Sequence, residues 1–121
     1  MADHEVTIAG LRKRVTDFVT AREWEQFHDP KNLSMALSAE AAELMEHFLW
    51  ITPEGSRKEM SQDEKRLQVG EEIADITCLV LALCNSIGLD LADIFMAKMA
   101  KNEKKYPAEA CKGKYHPPGK G

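Results

Sequence analysis

Residues 61–88 read SQDEKRLQVGEEIADITCLVLALCNSIG, and this stretch decides the fold. Its apolar residues recur at intervals of three and four, which places them on one face of an α-helix. Ser61 and Glu64 have the spacing of a capping box, and Gly88 favours a left-handed cap at the other end. We therefore predict one long helix that starts at this capping box and ends before Gly88. Its apolar stripe consists of Val69, Ile73, Ile76, Val80 and Ile87.

The sequence on either side of this segment also predicts helices. Prolines leave residues 31–52 and 54–106 uninterrupted, and neither stretch shows the apolar alternation of a β-strand. Asp90 can cap a last helix, which Pro107 would close. The sequence therefore predicts an all-α fold of the four-helix-bundle type. The further helices are predicted over residues 8–24, 33–51 and 91–105, with a polar loop over residues 54–62.

The composition narrows the class of protein. The 121 residues carry 16 Lys and Arg against 20 Asp and Glu, a net charge of −4, which argues against a nucleic-acid-binding surface. The longest apolar run, residues 78–84, is too short to span a membrane, and the polar amino terminus does not resemble a signal peptide. Three cysteines without metal-ligand spacing fit a reducing compartment. We expect one soluble cytoplasmic domain over residues 1–107 and a flexible basic tail over 108–121.

Acidic residues lie on the apolar side of two predicted helices. In the second helix, Glu40 falls inside the stripe formed by Leu33, Leu37, Leu44 and Phe48, and Glu43 lies at its edge. In the long helix, Glu72 and Asp75 flank the stripe with the same spacing of three residues. A carboxylate on a buried face must be paired, protonated or bound to a cation.

Antiparallel packing of these two helices would bring the four carboxylates Glu40, Glu43, Glu72 and Asp75 together. Oxygen ligands suit Mg²⁺, or Mn²⁺, better than zinc. A di-iron centre is disfavoured because the long helix has no histidine and His47 follows Glu43 by four residues, not three. The alternative is that all four acids are solvated surface residues. Glu46, three residues after Glu43, is predicted either to support the ligands or to lie on the surface.

The pairs Glu40-x-x-Glu43 and Glu72-x-x-Asp75, with 28 residues between them, resemble the motif of the MazG-like all-α nucleoside triphosphate pyrophosphohydrolases. The flanking segments look like the dCTP pyrophosphatase branch of that family. These segments are Arg22-Glu23-Trp24-Glu25-Gln26-Phe27-His28 with Pro30, Asn32 and Leu33, then Glu43-Leu44, Phe48-Leu49-Trp50, Lys98-Met99 with Asn102, and Tyr106-Pro107.

The resemblance implies hydrolysis between the α and β phosphates of a nucleoside triphosphate, with Mg²⁺ held by the four acids. It also implies a homo-oligomer, commonly a dimer of dimers, in which helices are shared across the subunit interface. Glu40 or Glu43 would orient or deprotonate the attacking water. Two positions depart from the branch: Leu79 stands where a tyrosine is frequent, and Val15 where a histidine is frequent. Both departures concern the base pocket.

Five residues are predicted to contact the substrate. Trp24 and Trp50 can stack on a base, although tryptophans at helix ends also cover cores. Lys98 and Asn102 share a face of the last predicted helix and match family positions for a polyphosphate contact, whereas His28 can hydrogen-bond the base or a phosphate. The leading hypothesis is Mg²⁺-dependent hydrolysis of dCTP or a modified dCTP. The same chemistry on dUTP or another non-canonical nucleotide is one alternative, and a non-catalytic helical oligomerisation module is the other.

Overall fold

The computed structural model describes residues 1–115, and this part of the chain is helical without any strand. The prediction of an all-α fold is confirmed. Four α-helices correspond to the predicted ones, and two shorter α-helices and two 3-10 helices accompany them. The bounds are α1 Ile8–Ala21, α2 Pro30–Glu46, α3 Pro53–Glu59, α4 Asp63–Ile87, α5 Leu91–Lys105 and α6 Ala108–Cys111, with 3-10 turns at Ala2–His4 and Glu25–Phe27.

Helix α2 begins earlier than predicted and also ends earlier. Asp29 is its N-cap, because its carboxylate accepts a hydrogen bond of 2.8 Å from the Asn32 amide, and Pro30 occupies the first turn, where no amide hydrogen is needed. The helix ends at Glu46, and residues 47–50 continue as turns instead of the predicted helix to residue 51.

The predicted polar loop over residues 54–62 is wrong, because it contains α3. The Thr52 hydroxyl accepts a hydrogen bond of 3.0 Å from the Gly55 amide and Pro53 follows it, so this pair starts a helix. In the sequence, the same proline marks the end of the preceding helix, which was predicted to stop at residue 51. The predicted capping box is also absent: Gln62 is the N-cap of α4, and the Ser61 hydroxyl donates to the Lys58 carbonyl at 2.6 Å.

The other end of α4 agrees with the prediction. Gly88 has φ +71° and its amide donates to the Cys84 carbonyl, which is the left-handed cap inferred from the sequence. Asp90 then caps α5 by accepting a hydrogen bond of 3.0 Å from the Asp93 amide. The long helix is therefore separated from α5 by a defined turn.

The core of the first part of the chain forms where α4 packs against α1 and α2. Asn85 joins α4 to α1 through polar contacts: its side chain accepts from Arg12 Nε at 2.7 Å and donates to Thr16 Oγ1 at 3.1 Å. The predicted stripe of α4 is only partly buried, because Ile73 is 51% exposed and Ile87 is also exposed. The buried core residues are Val15, Val19, Leu33, Val69, Leu81, Ala82 and Cys84.

The chain forms two compact units, the first ending at Gly88 and the second beginning at Leu89. The predicted domain boundary at residue 107 and the predicted tail flexibility stay predictions. Residues 108–111 of that tail form α6, and residues 116–121 lie outside the described residues. Among the described residues, no single helix is long and apolar enough to cross a membrane, although α4 and α5 together meet the requirements of length and composition.

Candidate metal centre and active site

Three of the four predicted carboxylates come together where α2 faces α4. One oxygen each of Glu40, Glu43 and Glu72 lies within 4.8 Å of the other two. Glu40 and Glu43 are three residues apart on α2 and therefore share a side of that helix. Glu72 reaches the same point from α4, which packs directly against α2. The helix packing thus converts two separated sequence pairs into one acidic cluster.

The environment of these oxygens fits a cation. Glu40 and Glu72 are partly buried, and Oε2 of each is shielded from solvent without a hydrogen-bond partner among the described residues. Leaving a buried carboxylate oxygen unpartnered is costly, and a metal ion removes that cost by taking the oxygen as a ligand. All three donors are oxygens, which suits Mg²⁺ or Mn²⁺.

The electrostatics of the cluster agree with this interpretation. The pKa of Glu40 is raised from 4.5 to about 7 by several causes together: first desolvation, then the adjacent carboxyl groups of Glu43 and Glu72 and the charge of Asp75. Like charges at this distance disfavour full ionisation of the group. Without a cation, the cluster therefore tends to hold a proton on Glu40 near neutral pH.

Asp75 is exposed and lies one turn beyond Glu72 on α4. Its negative charge acts on Glu40, so it lies near the cluster, yet in the described part of the chain it is not in the group of oxygens within 4.8 Å. Its role as a fourth ligand stays a prediction.

Glu43 and Glu72 of the acidic cluster line a cleft of about 330 Å³, together with three residues that are not among the predicted site residues: Glu46, His47 and Lys65. His47 lies with Nε2 3.9 Å from Glu72 Oε1, and Lys65 lines the same cleft from the first turn of α4. Helical spacing was the available signal: His47 is seven residues after Glu40, and Lys65 is seven before Glu72, which is two turns in each case. The full lining is Glu43, Glu46, His47, Lys65 and Glu72.

Comparison with known proteins identifies the family. Residues 35–115 match the profile of the MazG-like family, and this range contains both acidic pairs. The chain belongs to the MazG-like family. It is 34% identical over 109 residues to dCTP pyrophosphatase 1 of Bos taurus and 33% identical over 108 residues to dCTP pyrophosphatase 1 of Homo sapiens. These matches cover 90% and 89% of this chain, which spans 64% of the length of each relative.

A solved structure supports the same grouping. The fold of this MazG-like chain is similar to that of a pyrophosphatase from Archaeoglobus fulgidus, with a TM-score of 0.73 and 34% sequence identity. The match covers 78% of this chain and 87% of the other. The likeness confirms the predicted MazG-like fold, whereas the sharing of helices across an oligomer interface stays a prediction.

The two tryptophans of this MazG-like chain differ in their surroundings. Trp50 is 93% exposed in the turns after α2, so it does not cover the core of its own chain. Trp24 is 42% exposed and contacts Phe18 edge-on, with ring centroids 5.6 Å apart. Both rings therefore have accessible surface, and their contact with a base stays a prediction.

His28 lies apart from the acidic cleft. It lines a cavity of about 350 Å³ between α1, the 3-10 turn at Glu25–Phe27 and the carboxyl end of α4, and its carbonyl accepts a hydrogen bond of 2.7 Å from Ser86 Oγ. The residues lining this cavity and those lining the acidic cleft do not overlap. A direct role of His28 at the phosphates gains no support from this placement, and its role in binding the base stays a prediction.

Lys98 and Asn102 belong to α5, in the second compact unit of the MazG-like chain. Lys98 is exposed, and Asn102 is partly buried with Nδ2 4.0 Å from the Met99 sulfur. Their spacing of four residues places them on one face of α5, as predicted. Their contact with a polyphosphate stays a prediction.

Proposed function

We propose that this protein is a Mg²⁺-dependent nucleoside triphosphate pyrophosphohydrolase that converts dCTP or a modified dCTP to the monophosphate and pyrophosphate. One observation carries the proposal: Glu40, Glu43 and Glu72 offer oxygens within 4.8 Å of one another, two of the side chains having a buried oxygen without a partner among the described residues. A divalent cation would take these oxygens as ligands, and it is what hydrolysis of a phosphoanhydride needs.

The relatives support the choice of reaction and substrate. Proteins that are 33–34% identical to this chain are named dCTP pyrophosphatase 1, and the structural neighbour is named a pyrophosphatase. Because the chain spans 64% of the length of the curated relatives, their activity is part of the proposal for this chain.

In this mechanism, the carboxylates of the chain would bind the metal ion and activate the attacking water. Glu40, Glu43, Glu72 and Asp75 would hold Mg²⁺, which when bound supplies neutralisation of the phosphate oxygens and polarisation of the scissile bond. A water oxygen attacks the α-phosphorus, the bond from that phosphorus to the bridging oxygen breaks, and pyrophosphate leaves. Glu40 or Glu43 would accept the proton of the attacking water.

The other predicted residues would bind the base and the polyphosphate of the nucleotide. Trp50 and Trp24 would stack on the base, and His28 would hydrogen-bond it; Lys98 and Asn102 would contact the polyphosphate. Leu79 and Val15 lie where the branch frequently has a tyrosine and a histidine, so dUTP or another non-canonical nucleotide belongs in every substrate test.

The cellular setting is also part of the proposal. We place the protein in the cytoplasm, where its three free cysteines stay reduced. We propose a dimer of dimers because apolar side chains such as Ile73 and Phe95 lie exposed on the helices. Neither a nucleic acid nor a membrane is a proposed partner.

A panel of nucleoside triphosphates with Mg²⁺ tests the function. We expect dCTP or 5-methyl-dCTP to give equal amounts of monophosphate and pyrophosphate, separated by anion-exchange chromatography. Hydrolysis in H₂¹⁸O should put the label in the monophosphate, because attack occurs at the α-phosphorus. Release of inorganic phosphate, or no turnover with any nucleotide, would contradict the proposal.

Calorimetric titration with Mg²⁺ separates the enzyme from a non-catalytic oligomerisation module. The enzyme should bind Mg²⁺ at a fixed stoichiometry per chain, and Glu43→Gln should remove this heat while the circular dichroism stays helical. An oligomerisation module whose acids pair with lysines has no reason to bind the cation. Analytical ultracentrifugation of the same samples gives the oligomeric state.

A further inference from the structure

The acidic cleft contains one permanent positive charge. Of the five residues that line it, three are acids, one is His47, and one is Lys65. A cleft of carboxylates alone repels a polyphosphate, so a cation on its wall has a clear electrostatic role. Lys65 is therefore the residue of this cleft whose charge the metal site does not explain.

The position of Lys65 on α4 aligns it with the acidic cluster. It precedes Glu72 by seven residues, so both side chains lie on one face of the helix, about 10.5 Å apart along its axis. Because both residues line the same cleft, a chain of phosphates that starts at the carboxylates can extend along α4 toward Lys65.

The side chain of Lys65 is restrained but available. It is only 25% exposed, and its Nζ lies 3.8 Å from Glu59 Oε2 on α3, too far for a hydrogen bond. Glu59 Oε2 has no hydrogen-bond partner among residues 1–115. The ammonium group therefore lines the cleft without a hydrogen bond to Glu59, so its donors are available to a ligand.

We propose that Lys65 binds the terminal phosphates of the substrate, the part that leaves as pyrophosphate. This inference rests on the proposed function and adds a substrate-binding residue from the same compact unit as the carboxylates. The ammonium group of Lys65 would donate hydrogen bonds to phosphate oxygens and attract them by its positive charge. It would take no part in proton transfer. The expected ligand chemistry is a di- or triphosphate, because a monophosphate at the carboxylates does not extend to Lys65.

Steady-state kinetics of Lys65→Gln and Lys65→Met test this role. The Met variant keeps the packing of the aliphatic stem. We expect both to raise KM for the best triphosphate, and Ki for inorganic pyrophosphate, by about tenfold, since a charge-assisted hydrogen bond to phosphate is lost. Inhibition by the nucleoside monophosphate should stay the same, and Lys65→Arg should restore most of the affinity. Unchanged KM and pyrophosphate Ki in both variants would overturn the proposal.

Two control variants separate phosphate binding from a structural role. Glu59→Gln breaks the ion pair but leaves the ammonium group, and Lys58→Gln removes an exposed lysine from the last turn of α3. We expect both to keep the wild-type KM and pyrophosphate Ki. If Glu59→Gln reproduces the loss seen in the Lys65 variants, Lys65 acts through α3 and the proposal is wrong.

Direct binding distinguishes failure of this inference from failure of the proposed function. Calorimetric titration of the full chain with inorganic pyrophosphate, in the presence of Mg²⁺, needs no turnover. Suppose that the wild type hydrolyses no nucleotide but binds pyrophosphate, and that Lys65→Gln does not bind it. The proposed function then fails, whereas the assignment of Lys65 holds. If wild type and Lys65→Gln bind pyrophosphate equally, or neither binds it, the assignment is overturned.

Discussion

Nε2 of His47 lies 3.9 Å from Oε1 of Glu72, and each side chain is only 19% exposed. His47 directly follows the last residue of α2, whereas Glu72 lies near the middle of α4, so the contact joins the two helices that form the acidic cluster. The imidazole lies beside Oε1 of the Glu72 carboxylate, whereas Oε2 has no hydrogen-bond partner in the described chain. Oε2 is therefore the oxygen of Glu72 that is available to a ligand.

We expect His47→Ala to weaken Mg²⁺ binding by about tenfold, at the low end of what the loss of a residue supporting a metal ligand causes. The reason is that the Glu72 side chain becomes free to rotate away from Glu40 and Glu43. Calorimetric titration with Mg²⁺ measures the change, and turnover at saturating Mg²⁺ should stay close to wild type. His4→Ala, an exposed histidine in the first 3-10 turn, is the control. Equal Mg²⁺ affinity in His47→Ala and wild type would contradict this role.

Glu40 makes the stability of the metal-free protein depend on pH. Its pKa is raised from 4.5 to about 7 in the folded chain, so the folded state binds more protons than the unfolded state between these values. The stabilisation from protonated Glu40 is complete below pH 4.5 and is lost as the pH rises through about 7. In EDTA, Glu40→Gln should therefore match wild type near pH 4.5 and be more stable than wild type at pH 8.

Urea unfolding at the two pH values measures this difference, and added Mg²⁺ should reverse the order at pH 8 because only wild type keeps all its ligands. Glu54→Gln, at an exposed position in the first turn of α3, is the control. A constant difference between Glu40→Gln and wild type at both pH values would show that Glu40 does not titrate in this range.

Glu43→Gln and Asp75→Asn should each reduce turnover by at least about 100-fold, more than the loss of a supporting residue, because a ligand oxygen is replaced by an amide. Glu71→Gln is the matched control, since it neighbours Glu72 but lies on an exposed face of α4. Mg²⁺ titration and circular dichroism of the same variants separate loss of the metal from loss of the fold. Wild-type Mg²⁺ affinity in Asp75→Asn would restrict the centre to Glu40, Glu43 and Glu72.

The acidic cluster was predictable because its signal is local in sequence. A spacing of three residues fixes which acids share a helix face, and Glu40 stands out because it falls among leucines. The contact between Glu72 and His47 is different, since it depends on how far α2 and α4 are offset along their axes. Nothing in the periodicity of either helix fixes that offset, so the contact of His47 with Glu72 follows only from the structure.

The helix ends show a similar limit. Gly88 and Asp90 act through their own backbone or side chain, and both were predicted correctly. The pair Thr52-Pro53 is an ambiguous signal, because it can end one helix and begin the next. Ser61 has two possible partners, and its hydroxyl bonds the Lys58 carbonyl, a partner that exists only because α3 forms. Signals that depend on a neighbouring element were therefore misread.

Asn85 should contribute to the stability of the α1–α4 pair. Its side chain makes hydrogen bonds of 2.7 and 3.2 Å to Arg12 and of 3.1 Å to Thr16. We expect Asn85→Ala to lower the free energy of unfolding by about 1–3 kcal/mol, because partly buried polar groups lose their partners. Lys13→Ala removes the exposed ion pair with Asp17 and should cost at most about 0.5 kcal/mol. Urea midpoints at one protein concentration measure both, and equal losses would refute the assignment.

Two glycines of α4 should respond to alanine in opposite directions. Gly88 has φ +71° and a Cβ there would meet no atom within 4 Å, so Gly88→Ala costs only backbone strain, about 1–2 kcal/mol. Gly70 lies inside the helix with equally open space around its Cβ, and Gly70→Ala should stabilise by about 0.5–1 kcal/mol because alanine loses less backbone entropy. Gly88→Asn should cost less than Gly88→Ala, since asparagine tolerates the left-handed region. Thermal and urea unfolding measure the three variants, and a shift of the same sign for both alanine substitutions would mean that side-chain contacts, not backbone conformation, govern one of these sites.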